Sequence, residues 1–254
     1  MTILGGIFLY AGLAVTLAGV LSILIPLRFL RIRTRKQGLL TLIFGLLLFG
    51  AGVYMPVTET RVEPARTHFD EFMPAFQFRE FHSVTVGASK ERVDRAIREV
   101  CPEEVRFFNT LIRIRGLKAL PEGRPMLQGF TTGWWQSLAN EPGREIVFGF
   151  GGGTRIAKTP EEFKALGQPP LIRMAMNFRI QELDADHCIL TTETRVFAEG
   201  THLLRGFATY WRMIYPGSSL IRYMWLRAIK LRAEREPSST LLRTATYSVS
   251  GQQL

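Results

Sequence analysis

Residues 171–198 read LIRMAMNFRIQELDADHCILTTETRVFA. Ile172, Met174, Met176, Phe178 and Ile180 alternate with Arg173, Ala175, Asn177, Arg179 and Gln181. A period of two residues is that of a β-strand, whose side chains point to opposite faces in turn. With one face apolar and the other polar, an antiparallel sheet covered on one face is expected. Asp184-Ala185-Asp186 makes the turn into a partner strand over Cys188–Ala198.

Downstream the period changes. Phe207, Trp211, Ile214, Ser218, Ile221, Trp225 and Ala228 fall at steps of three and four, which predicts a helix over about 203–235. Pro216-Gly217 should kink it or divide it in two. Upstream, Gln128–Leu138 and Glu145–Phe150 are expected as strands about the turn Asn140-Glu141-Pro142-Gly143. Phe76–Val86 alternates again, with Phe76, Phe78, Glu80, His82, Val84 and Val86 on one face. Ser89 is placed to cap a short helix through Val93, Ala96, Ile97 and Val100. Pro102 suits the first turn of another, running to Ile114 with Val105, Phe108 and Leu111 as its apolar stripe. Residues 116–127 read as a loop, 59–75 as a linker with Pro64 and Pro74, and the polar residues 237–254 as a disordered tail.

The N-terminal 58 residues are of a different kind. Residues 1–27 and 37–58 carry no charged side chain, while Arg28, Arg31, Arg33, Arg35 and Lys36 crowd the elbow between them. A bilayer core about 30 Å thick needs roughly 20 apolar residues at 1.5 Å each, so both stretches are long enough to span, over about 3–27 and 38–57. No basic segment precedes the first apolar stretch, so an uncleaved span is expected rather than a signal peptide. Positive-inside counting puts the elbow in the cytoplasm and the rest of the chain outside it, as expected for a multi-pass protein of a bacterial inner membrane. Gly5, Gly12 and Gly19 recur every seven residues in the first span, and Gly38, Gly45 and Gly52 in the second. Each set lines one helix face, and small residues in a stripe let helices approach closely in lipid.

Five of the 32 basic residues sit in the elbow, so the net charge of +10 partly reflects topology. No zinc-finger spacing, RNP pattern or long basic block supports a nucleic-acid partner. Cys101 and Cys188 are too few for a disulfide framework, and two buried apolar side chains are the expected reading. His68, His82, His187 and His202 never recur at i, i+4, and neither CxxC nor HExxH occurs, so no metal and no cofactor is expected.

Strand, two short helices, antiparallel strands and a long C-terminal helix is the order of the helix-grip fold. Over residues 76–236 the chain resembles the START-like (SRPBCC) superfamily, which includes polyketide cyclases and the birch-pollen-allergen proteins, in a bacterial branch of mostly unknown function. The resemblance is carried by Phe78-Arg79-Glu80-Phe81-His82-Ser83-Val84, by Pro142-Gly143-Arg144-Glu145-Ile146-Val147 with Gly149, and by Thr192-Glu193-Thr194-Arg195-Val196. Tyr210-Trp211-Arg212-Met213-Ile214-Tyr215-Pro216, Leu220-Ile221-Arg222 and Leu226-Arg227-Ala228-Ile229-Lys230 add the C-terminal helix. The resemblance implies an α+β fold with an apolar cavity between sheet and helix. It also implies binding of an apolar small molecule or lipid.

The expected cavity lining is Met174, Met176 and Phe178 from the sheet and Phe207, Trp211 and Ile214 from the helix. Glu80 and His82 share a strand face and are the candidate acid–base pair for an alternative, an enzyme of cyclase or dehydratase type. Glu193 and Arg195 read as a structural ion pair. Gly149-Phe150-Gly151-Gly152-Gly153-Thr154 lacks the Lys-Ser/Thr of a phosphate loop and reads as a bulge or flexible strand end. Beside Gly133, one of Trp134 and Trp135 is free to anchor at a membrane interface. The basic C-terminal helix face reads as either solvated or facing anionic headgroups. A third reading is a non-binding module whose hairpin docks a membrane-protein partner.

Overall fold

The computed structural model describes residues 2–25, 30, 32–116, 118–131, 135–152, 156–166 and 171–235. Helices α1 (Thr2–Leu24) and α2 (Arg35–Tyr54) form an antiparallel hairpin, and both are long and apolar enough to cross a membrane. Thr34 opens α2 with a capping box, its hydroxyl accepting from the Gln37 N–H while the Gln37 side chain accepts from the Thr34 N–H. Gly12, Gly19, Gly38, Gly45 and Gly52 face the partner helix, whereas Gly5 faces the Arg212 side chain. A methyl group added at Gly19 would lie 2.5 Å from the Leu42 nitrogen, and one at Gly52 would lie 2.6 Å from the Leu9 nitrogen. Gly12 abuts the Phe49 backbone and Gly45 abuts Thr16. Arg28 and Arg31 of the elbow lie outside the described residues.

Residues 59–75, which read as a linker, carry three short elements: β1 (Thr60–Arg61), α3 (His68–Phe72) and the start of β2 (Ala75–Phe76), which pairs with β1. Phe69, Phe72, Met73 and Phe76 are the reason, because all four are buried against the domain. Next come β3 (Phe78–Val86) and α4 (Lys90–Glu99), then a 3₁₀ turn at Pro102–Glu104, α5 (Phe108–Ile114) and α6 (Met126–Thr131). The single helix expected over 102–114 is broken at Phe107, whose φ of 60° is left-handed. The strand expected over 128–138 is helical to Thr131, because Met126 and Leu127 turn into the core; among the described residues the extended part is β4 (Gln136–Glu141). The chain ends with β5 (Glu145–Gly152), α7 (Pro160–Ala165), β6 (Leu171–Asp184), β7 (His187–Glu199) and α8 (Thr201–Arg235). Helix α8 runs unbroken through Pro216. The tail 237–254, Gly133, Trp134, Gly153 and Thr154 lie outside the described residues.

The main sheet is β3–β7–β6–β5–β4, antiparallel throughout. With α8 packed along it and short helices between β3 and β4, this is the expected α+β, helix-grip architecture. On the front face, Ile146, Phe148, Met176 and Phe178 meet Val93, Ile97, Phe108, Trp225 and Ile229 in one core. Fully burying each such side chain is worth about 1.5–3 kcal/mol. The back face is covered as well, which the polar alternation of β6 did not suggest. Helices α3 and α7 and the β1–β2 ribbon close over it, with Phe163 buried against Val147 and Ala175. Gly149 and Gly151 of β5 make room for this cover: added methyl groups there would lie 2.9 and 3.1 Å from the Phe163 ring.

Candidate functional site

Glu80 and His82 point from β3 toward α8, as their alternation requires, and they meet. Glu80 is 2% exposed; its Oε1 lies 3.0 Å from His82 Nε2, and its Oε2 accepts from Ser218 Oγ at 2.8 Å. Ser219 Oγ lies 3.3 Å from the same His82 nitrogen. Arg222, one turn along α8, reaches inward to the Met176 sulfur and lies 5.7 Å from the Trp225 ring centre. Burial brings the Arg222 guanidinium down to about 10, against the favourable charge of Glu80 and with Arg115 adding repulsion. Burial, then the charge of Glu80, raises the Tyr215 phenol. The cluster is a polar bolt between β3 and α8.

It also stands between two groups of the expected cavity residues. Phe78, before Glu80 on β3, gathers Met174, Phe207, Trp211 and Ile214 around it. Met176 and Phe178 belong instead with Val84 and Val86, beyond His82, where Phe178 packs on Trp225 at 4.9 Å between ring centres.

The back face holds a charge network. Arg195 donates to Glu193 at 2.7 Å and to Asp70 at 2.8 Å, and Arg79 donates through Nε and Nη2 to the two Glu193 oxygens. The Arg195 guanidinium also lies within 4.6 and 4.8 Å of the Phe69 and Phe76 ring centres. Burial by itself would raise the Asp70 carboxyl. Hydrogen bonds from the Arg66 N–H, Arg195 and Thr67, with the charge of Arg195, instead hold it below the usual range. Glu193 and Arg195 are thus an ion pair, extended by Asp70 and Arg79. Cys101 and Cys188 are both free thiols, Cys188 buried in the front core.

A pocket of ligand size lies elsewhere, at the junction of hairpin and domain. Its volume is about 980 Å³, at the upper end of what small-molecule sites use. Gly6, Ile7, Tyr10 and Ala11 of α1 form one wall, Thr58, Thr60, Val62 and Phe76 another, and Arg79, Arg195, Arg212 and Tyr215 complete it. None of the six expected cavity residues, nor Glu80 or His82, lines it.

Arg212 builds the junction. It is 1% exposed and donates to the carbonyls of Gly52, Val53 and Met55 at 2.9, 2.9 and 2.6 Å, closing the C-terminal end of α2. A cation there meets the negative end of the helix dipole. Tyr10 of α1 adds a hydrogen bond to the Met213 carbonyl at 2.5 Å. Arg212 belongs to the run of basic residues along the C-terminal helix, yet it is a buried anchor and not part of a solvated face. Its spacing from Ala208, with Trp211 alongside, was the available signal, since i, i+3 and i+4 share a helix face.

By sequence, no family model and no curated protein matches the chain. By structure, it is similar to a conserved protein of Geobacillus kaustophilus (12% identity over 61% of this chain and 95% of that one, TM-score 0.34). It is similar also to the Zhui aromatase/cyclase of Streptomyces sp. R1128 (17%, 64% and 97%, 0.30). A third similar protein is the di-domain aromatase/cyclase BexL of the BE-7585A biosynthetic pathway (13%, 62% and 46%, 0.32). At these scores the likeness transfers no ligand or reaction; the fold assignment rests on the strand order and register above.

Proposed function

We propose that this protein binds a hydrophobic small molecule or lipid at a membrane, taking it into the pocket between hairpin and domain. One observation carries the reading: a pocket of ligand size has α1, a helix apolar enough to span a bilayer, as one of its walls. Ile7 to Ala11 lie roughly 8–14 Å along α1 from its first residue, within one half of a bilayer core about 30 Å thick. An apolar molecule can pass sideways from the bilayer into the pocket without crossing water.

Gly6 offers a clean test, because a side chain added there meets nothing within 4 Å and would project into open space. Native mass spectrometry of the full-length protein in detergent should find a co-purified apolar molecule that Gly6→Phe loses. Gly50→Phe, equally unobstructed but on α2 and outside the pocket, should keep it. An adduct unchanged in Gly6→Phe sinks the reading.

The sidedness follows from the basic elbow: a bacterial inner membrane, the elbow cytoplasmic and the domain outside. Alkaline phosphatase fused after residue 235 should be active; an inactive fusion, with a fluorescent cytoplasmic reporter at the same place, would reverse the orientation. A second reading, an acid–base enzyme built on Glu80 and His82, has their 3.0 Å contact in its favour. It is the less supported, since both Glu80 oxygens are engaged by the domain's own groups and neither residue reaches the pocket.

A further inference from the structure

We propose that the ligand of the junction pocket is an amphiphile with a single anionic head, seated on Arg79 with its apolar tail along α1; this rests on the membrane-binding reading above. Three guanidinium groups line the pocket and no carboxylate does. Asp70 and Glu193 balance two of those charges from outside the lining, which leaves one cation in excess.

The three arginines are not equivalent. Arg195 gives Nε to Glu193 and Nη1 to both Asp70 and the Met73 carbonyl, and its side chain is only 7% exposed. Arg212 spends its terminal nitrogens on the end of α2, and its Nε is enclosed where α1 passes at Gly5. Arg79 gives Nε and Nη2 to Glu193, is half exposed, and keeps Nη1 without a partner among the described residues. Guanidinium forks match phosphate and carboxylate oxygens, so Arg79 is the group that can take an anionic head. Thr58 and Thr60 stand in the same lining as hydroxyl donors.

The rest of the lining fits a tail. Ile7, Ala11, Val62, Phe76 and Pro216 are apolar and continue the surface of α1 into the pocket. A headgroup at Arg79 with a chain running back along α1 keeps the amphiphile's orientation in the bilayer, charge toward water and chain toward lipid. Neither a wholly apolar ligand nor a free anion uses both parts of the pocket.

The test uses three probes on full-length protein in detergent: hexadecyl phosphate, hexadecanol and inorganic phosphate. Binding is followed by native mass spectrometry. Hexadecyl phosphate should bind about ten-fold more tightly than hexadecanol, the worth of one charge-assisted hydrogen bond, and inorganic phosphate should not be retained. Arg79→Gln should bring the two alkyl probes to within about two-fold by lowering the phosphate only, while Arg79→Lys keeps most of the preference. Glu193 has Arg195 as a second partner, so neither variant leaves that buried carboxylate unpaired. Equal binding of phosphate and alcohol by the wild type, or an undiminished preference in Arg79→Gln, overturns the headgroup and leaves the apolar pocket standing. Inorganic phosphate bound as tightly as its alkyl ester overturns the amphiphile in favour of a free anion. Binding of neither alkyl probe overturns the membrane-binding reading itself.

Discussion

The hairpin seam and the back of the sheet are both buried interfaces, and they are held by opposite means. Along the seam, Gly12, Gly19, Gly45 and Gly52 let backbone approach backbone, and the face carries no ionisable group. Behind the sheet, Asp70, Glu193, Arg195 and Arg79 form a chain of ion pairs under α3. On the proposed membrane reading, the difference follows from the surroundings of each. Lipid supplies no hydrophobic drive between helices, so close contact is the available source of attraction. The domain has water outside it, and buried charges there must be paired to be tolerated.

The largest effect should come from the seam. Gly12→Leu drives a side chain into the Phe49 backbone, which cannot give way, and should cost about 3 kcal/mol or more. Thermal unfolding in detergent and cysteine cross-linking across the hairpin measure it; an unchanged melting temperature with intact cross-linking would mean that the glycines make no seam. Gly6→Phe, on the same helix but facing the pocket, is the counterpart and should leave stability nearly unchanged.

A smaller effect separates the two interfaces by pH. The folded pKa of Asp70 is depressed, so its contribution is present above the unfolded value of about 3.9 and is lost as pH falls through the folded value. Asp70→Asn should therefore lower stability near neutrality by about 1.5–3 kcal/mol and flatten the loss on acidification. Near-ultraviolet circular dichroism melts of the two proteins between pH 2.5 and 7 would show this; parallel curves would mean that Asp70 does not carry the acid sensitivity. Cross-linking across the hairpin should not respond over the same range, because nothing in the seam titrates.

Local periodicity made much of the fold legible. Gly5-Gly12-Gly19 and Gly38-Gly45-Gly52 each lie on one helix face whatever the rest of the chain does. The alternation of Ile172 to Ile180 likewise fixes β6, and the spacing of Phe207 to Ala228 fixes α8. Glu80 and His82 were within reach for the same reason, two residues apart on one strand face, and α8 supplied the Ser218 hydroxyl that completes their cluster. Segments with weak periodicity misled: residues 59–75 owe their order to Phe69, Phe72, Met73 and Phe76 finding cover on the sheet, and 128–131 turned helical because Met126 and Leu127 are drawn into the core.

What the sequence by itself determined, then, is the hairpin with its glycine faces, the antiparallel sheet and the long closing helix, since each is written in residues a few positions apart. Only the tertiary structure decided that the hairpin docks on α8 through Arg212 and Tyr10. It alone brought residues 6–11 against 58–62, 76–79, 195 and 212–216 to make a pocket. Those segments are far apart along the chain, and no spacing rule connects them. Their meeting depends on how two separately formed surfaces fit, and on one buried guanidinium reaching the end of a helix.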